Sequence, residues 1–108
     1  MGIAIPQPVA ERYHPRVATD LTVKVLMNGR AYPARAKDLS MAGLYLLGAY
    51  QDAEKVTVAI PLPGREVVSI CRVARRHPDG VGLEFDSIDW EDMFALARYM
   101  HPRLPADS

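Results

Sequence analysis

The sequence predicts a mainly β fold, with six short antiparallel strands forming a small barrel that is plugged or flanked by one C-terminal α-helix. Three observations predict it. Apolar and polar residues alternate with period two through much of residues 21–85, the period of half-buried strands. Turn signals at Asn28-Gly29, Pro63-Gly64 and Pro78-Asp79-Gly80 break that alternation into short pieces. Only in the last segment does the period lengthen to that of a helix, and the chain holds no internal repeat and no low-complexity tract.

Taken in order, residues 1–10 contain Pro6 and Pro8 among small apolar residues without sustained periodicity, which predicts a flexible lead-in. Pro15 interrupts the polar stretch 11–18 and biases His14 towards extended backbone, so Arg12 and Arg16 are expected on a loop. Leu21, Val23, Val25 and Met27 then alternate with Thr22 and Lys24 as a first strand, and Asn28-Gly29 supplies a tight hairpin turn. Residues 30–39 return with Ala34 and Ala36 set against Arg35 and Lys37, and Pro33, which lacks an N–H, is expected at an edge or a bulge.

A polar corner at residues 38–43 leads into a short apolar strand, Leu44 to Leu47, and a loop from Gly48 to Glu54. Val56, Val58, Ile60 and Leu62 mark the fourth strand, Glu66 to about Arg75 the fifth, and Val81, Leu83 and Phe85 the sixth. Trp90, Met93, Phe94, Ala97 and Met100 fall at helical spacing. Ser87 or Asp89 is placed to cap that helix, Glu91 and Asp92 suit its positive end, and His101-Pro102 stops it. The expected organisation is a lead-in over 1–10, one domain over 11–101 and a tail over 102–108.

At 108 residues the chain suits one core, and its 49% apolar and 24% charged residues describe a globular domain rather than a disordered one. Thirteen basic and thirteen acidic side chains cancel, which argues against a nucleic-acid binder, although the N-terminal half carries the basic bias. Cys71 is the only cysteine, so no intramolecular disulfide can form and a cysteine-rich metal site is excluded. No run approaches the about 20 apolar residues of a membrane helix, and no signal peptide is legible. A cytoplasmic protein without membrane insertion is expected.

Chemistry concentrates at Asp38-Leu39-Ser40-Met41-Ala42-Gly43. An Asp or Asn followed by Ser two later and Gly three after that is expected about 0.02 times by chance from this composition. Upstream, Arg12 and Arg16 lie four apart. That spacing alone is weak, because ten arginines give about one such pair by chance and Arg72 with Arg76 forms another.

Taken together, these residues resemble the two signatures of the PilZ domain family: an arginine pair four apart in an N-terminal loop and an Asp/Asn-x-Ser-x-x-Gly corner some twenty residues later. Arg12 and Arg16 match the first signature, and Asp38, Ser40 and Gly43 match the second. Gly80-Val81-Gly82-Leu83-Glu84-Phe85 is similar to the family's glycine-containing last strand. The resemblance implies a six-stranded PilZ-type antiparallel barrel that binds the bacterial second messenger cyclic di-GMP as a ligand, with no cofactor. Family members with a further arginine before the pair favour a stacked nucleotide dimer. Glu11 stands there in this chain, which points to one nucleotide per protomer.

The residue types suit that ligand. Arg12 and Arg16 offer guanidinium forks for phosphate, for the O6 and N7 acceptors of guanine, or for stacking on its face. Asp38 complements the N1 and N2 donors of guanine, and the Ser40 hydroxyl can serve phosphate or base. Gly43 permits a conformation or close approach that a Cβ would obstruct. Tyr13, Arg75 and Gly82 are auxiliary candidates. Bland readings stand beside these. Arginines in a loop are most often solvated, an Asp-x-Ser corner most often bonds its own backbone, and Tyr13 and Tyr45, although able to stack on a base, read more readily as half-buried strand or loop aromatics.

His14, His77 and His101 are scattered beside prolines, so no metal site is expected. Cys71 on an alternating strand reads as a buried inert thiol, and no nucleophile is paired with a general base. The expectation is a non-enzymatic receptor, monomer or weak dimer, that passes its signal to an unidentified effector protein by ordering of the N-terminal loop. The alternative is an adaptor of the same fold that acts without nucleotide. An RNA-binding or single-strand-binding barrel is disfavoured by the zero net charge.

Overall fold

The alternation resolves into seven strands in the computed structural model, which describes residues 15–48, 50 and 53–104. The expected lead-in, Arg12 and Tyr13 lie outside the described residues. The strands are β1 (Val17–Ala18), β2 (Thr22–Met27), β3 (Arg30–Leu39), β4 (Gly43–Leu47), β5 (Lys55–Leu62), β6 (Arg65–His77) and β7 (Gly80–Ser87). Six of them form an antiparallel sheet in the order β3-β2-β5-β6-β7-β4, which closes into a barrel because β4 pairs back onto β3. The hairpin at Asn28-Gly29 forms as expected, with φ of 53° and 76° supplying the two left-handed positions of a primed turn.

Inward residues from every barrel strand fill the interior: Val25 of β2, Leu39 of β3, Leu46 of β4, Ile60 of β5, Val67 of β6 and Val81 of β7 are fully buried. Pro33 lies opposite Lys24, in the half of β3 that pairs with β2 alone, where a missing donor costs least.

The seventh strand was not legible in the sequence. Val17 and Ala18 pair with Leu39 and Asp38 and so extend the β2 side of β3 beyond the end of β2. Between Ala18 and Thr22 the chain has three residues where β3 has two, between Asp38 and Arg35, and this single extra residue separates β1 from β2. Arg16 therefore leads directly into a paired strand.

Helix α1 (Trp90–Met100) begins at Asp89, whose backbone is extended as an N-cap requires but whose side chain makes no capping hydrogen bond. Its buried stripe is Asp92, Leu96 and Met100. Of the apolar residues at helical spacing only Met100 belongs to that stripe, while Trp90, Met93, Phe94 and Ala97 are exposed. The physical reason is Arg65, at the start of β6. Its Nε donates to Asp92 Oδ1 at 2.6 Å, and its Nη2 lies 3.7 Å from Glu91 Oε1. That pairing satisfies a buried carboxylate and fixes which face of α1 meets the barrel. A 3₁₀ turn, His101–Arg103, stops the helix, and Leu104 packs against the core, so the start of the expected tail belongs to the folded unit. No helix among the described residues is long and apolar enough to cross a membrane.

Candidate functional site

Strict alternation along β3 would send Asp38 inward with Ala34 and Ala36. A β-bulge prevents this. Ala36 pairs with Leu46, both inward, but Asp38 pairs with Tyr45, so Lys37 is the extra residue and Asp38 turns to the outer face. The same device acts on β6. Val73 pairs with Leu83 and Arg75 with Gly82, which makes Ala74 the extra residue and turns Arg75 outward. Tyr45 in turn pairs with Gly82. One outer row thus runs Ala18, Asp38, Tyr45, Gly82, Arg75 across β1, β3, β4, β7 and β6.

Arg16 stands diagonally across from Asp38, with Nη1 3.9 Å from Oδ2, and its side chain is half exposed. At the centre of the row the Tyr45 hydroxyl donates to Asp79 Oδ1 at 2.5 Å. The Tyr45 ring lies 5.7 Å from the His77 ring and 5.7 Å from Lys37 Nζ. The hydrogen bond to Asp79, with burial and the charges of Asp79 and Asp38 adding to it, pushes the Tyr45 phenol up to about 12. Asp79 moves the other way. The bond from Tyr45 holds its carboxyl below the ordinary value, helped by its own backbone N–H and by Lys37 and His77, against a smaller effect of burial.

The corner between β3 and β4 is built by Ser40, which is only 6% exposed. Its Oγ accepts from the N–H of Ala42 at 3.0 Å and of Gly43 at 3.2 Å, and its own N–H donates to the Gly43 carbonyl at 2.8 Å. The hydroxyl proton points back to that same carbonyl at 3.4 Å. A hydroxyl has one donor and two acceptor sites, so the corner itself engages all of them. Gly43 is required by close approach. A Cβ there would sit 1.8 Å from the Leu83 carbonyl oxygen of β7. Gly82 is different, since a Cβ would meet nothing nearer than Arg75 at 3.7 Å. Packing does not exclude a Cβ at Gly82, whose lack of one leaves the floor between Tyr45 and Arg75 without a side chain.

The family model described as the PilZ domain matches residues 10–101. The chain belongs to the PilZ domain family. Among solved structures, this PilZ domain is similar to the Bacillus subtilis inhibitor of motility (MotI/DgrA), with a TM-score of 0.71 and 21% identity, covering 94% of this chain and 52% of that one. It is similar to an uncharacterised Legionella protein, with a TM-score of 0.63 and 13% identity, covering 82% of this chain and 96% of that one. It is also similar to the Borreliella burgdorferi PlzA protein, solved in complex with c-di-GMP, with a TM-score of 0.60 and 18% identity, covering 80% of this chain and 39% of that one. The PilZ domain thus spans about half the length of the Bacillus protein. No match was found among curated proteins.

Of the residues singled out in the sequence, the PilZ fold brings Arg16, Asp38, Gly82 and Arg75 onto one outer surface, beside the corner that Ser40 and Gly43 shape. Arg12 and Tyr13 lie outside the described residues. The second arginine pair is engaged elsewhere, Arg72 with Glu84 and Arg76 with the Ala53 carbonyl. Tyr45 is the half-buried strand aromatic that the sequence suggested, on β4, and Lys37 and Asp79 beside it were not singled out in the sequence. The legible signal for Tyr45 was its position between Leu44 and Leu46 on an otherwise apolar strand, which sends one polar-tipped side chain outward.

Proposed function

We propose that this PilZ domain is a receptor for cyclic di-GMP and acts by binding rather than catalysis. The nucleotide lies along the outer row, over the Gly82 floor. Asp38 takes the N1 and N2 donors of one guanine, while Arg16 and Arg12 supply forked donors to phosphate or to the guanine O6 and N7. Arg75 adds positive charge at the far end, and the Tyr45 ring offers an aromatic surface. Ser40 and Gly43 serve by holding the corner in shape. The observation that carries the reading is the pair of single-residue bulges at Lys37 and Ala74, which turn a carboxylate and a guanidinium outward on either side of a glycine that packing does not require. The PilZ membership and the c-di-GMP complex of PlzA support it.

The output follows from where the donors sit. Arg16 precedes a paired strand and Arg12 lies four residues earlier, so a bound nucleotide holds both against the Asp38 face and completes a surface that a partner protein prefers. The domain would work in the cytoplasm, with one nucleotide per protomer. Titration calorimetry at moderate salt tests the reading: the full chain binds cyclic di-GMP and Arg16→Ala and Asp38→Ala lose at least tenfold in affinity. Equal binding by those variants, or none by the parent, refutes it.

A further inference from the structure

The exposed apolar face of α1 is the largest feature that the nucleotide site leaves unused. Trp90 is 64% and Phe94 58% exposed, and their rings meet edge to face with centroids 5.1 Å apart. With Met93, Ala97 and Met41 they line a groove of about 310 Å³. Exposed apolar surface of this kind marks an interaction site. What it receives follows from how size and charge are distributed along the helix.

Both change from one end of the face to the other. The large rings of Trp90 and Phe94 stand in the first half of α1, and the small Ala97 lies two turns beyond Trp90. Residues seven apart lie almost one above the other on a helix, so Trp90 and Ala97 share a line along the apolar face while Glu91 and Arg98 share the line that flanks it. Negative charge thus flanks the bulky end and positive charge the small end. Both charges reach water. Glu91 lies 3.7 Å from Arg65 yet keeps 61% of its side chain exposed, and Arg98 is exposed and makes no ion pair among the described residues. A face of this pattern is complementary to itself reversed. About a two-fold axis perpendicular to α1 near Phe94, Trp90 of one copy covers Ala97 of the other, and Glu91 meets Arg98 twice, once in each direction. The same reversal sets the two helix dipoles antiparallel.

We propose that this face receives a second copy of the same chain, with α1 packed antiparallel on α1 about that axis. A partner of a single charge sign, an anionic membrane included, meets one end of the face and is repelled by the other. The two rings offer on the order of 250 Å² per copy at their observed exposure, about 500 Å² for the pair, against the roughly 1,200 Å² at which stable interfaces begin. The association is therefore weak and grows with concentration. It needs no nucleotide and stands apart from the nucleotide reading above.

Sedimentation equilibrium of the full chain at low salt and without nucleotide tests it. The parent follows a monomer–dimer equilibrium. Phe94→Asp, at an exposed position, weakens the dimer at least tenfold. Glu91→Lys and Arg98→Glu each place like charges opposite one another and weaken it about tenfold, whereas a mixture of these two variants pairs unlike charges and associates as the parent does. A parent that stays monomeric, a Phe94→Asp variant that associates equally well, or a mixture no tighter than its components overturns the proposal. Trp90 is the only tryptophan, so its fluorescence gives a second readout that needs no variant. Its emission moves to the blue as concentration rises and the indole loses water. Emission that is blue at every dilution assigns the groove to another segment of the same chain, and emission that is red at every concentration leaves it to a different protein. Either result overturns the proposal.

Discussion

Arg16, the residue before β1, is the diagonal neighbour of Asp38 on β3, with Nη1 and Oδ2 3.9 Å apart on the outer face of the barrel. At that separation and exposure the pair contributes about 0–1 kcal/mol to the fold, after screening and side-chain ordering are counted. Its geometry suits ligand recognition better than stability. Arg16→Ala is therefore expected to leave the thermal midpoint within about 4 °C of the parent while it lowers nucleotide affinity at least tenfold. Calorimetry of unfolding and of binding on one preparation checks this, and a large loss of stability would show that the arginine holds the barrel edge instead.

Two glycines in the site separate packing from recognition. Gly43→Ala places a Cβ against the Leu83 carbonyl and must force β4 away from β7, at a cost on the order of 3 kcal/mol or more. Gly82→Ala meets only the Arg75 side chain, at an ordinary contact distance of 3.7 Å, and is expected to change stability by no more than about 0.5 kcal/mol. If Gly82 is the floor of the nucleotide site, its Ala variant keeps the parent's denaturation curve and loses affinity. Equal affinity would move the nucleotide off that strand.

Ser40 yields the opposite pattern from Arg16. Removing its hydroxyl leaves the N–H groups of Ala42 and Gly43 without their present partner at a buried corner, which costs about 1–3 kcal/mol. Urea denaturation of Ser40→Ala is expected to show that loss in the absence of nucleotide. A variant as stable as the parent, with binding weakened, would return Ser40 to direct ligand contact.

Tyr45 and Asp79 give a pH signature. Because the phenol is raised from 10.0 to about 12 in the folded protein, its contribution is complete below pH 10 and is lost as pH climbs from 10 towards 12. Asp79 is lowered, so its share is complete above its ordinary value of 3.8 and disappears as pH falls through the depressed folded value. The contact therefore works across the neutral range. Tyrosinate absorbance of the parent should show two late-titrating tyrosines, Tyr45 and, through burial, Tyr50; in Asp79→Asn the Tyr45 component alone returns towards 10, and an unchanged titration would remove the hydrogen bond from the account.

Much of the barrel was legible because alternation and turn chemistry are local. Asn28-Gly29 announces its hairpin, and Val56 to Leu62 reads as a strand on its own. The bulges at Lys37 and Ala74 were not legible, since an extra residue shows only against a partner strand, yet they decide that Asp38 and Arg75 face outward. Two residues of β1 are too few to carry a period. The face of α1 was hidden for a related reason. Periodicity picked out Trp90 and Phe94, whereas the buried face was set by Arg65, 27 residues from Asp92 in sequence. Gly43 stood out in the corner motif, but its reason, the β7 backbone at Leu83, lies forty residues away.

The central claim is that one outer row across β1, β3, β4, β7 and β6 receives the nucleotide. Titrating isotope-labelled full chain with cyclic di-GMP and following backbone amides tests it most directly. The account predicts that Arg16, Asp38, Tyr45, Gly82 and Arg75 shift together, while Lys24, Val58 and Val68 on β2, β5 and β6 stay in place. Saturable shifts centred on that second group, with the row unmoved, would contradict it.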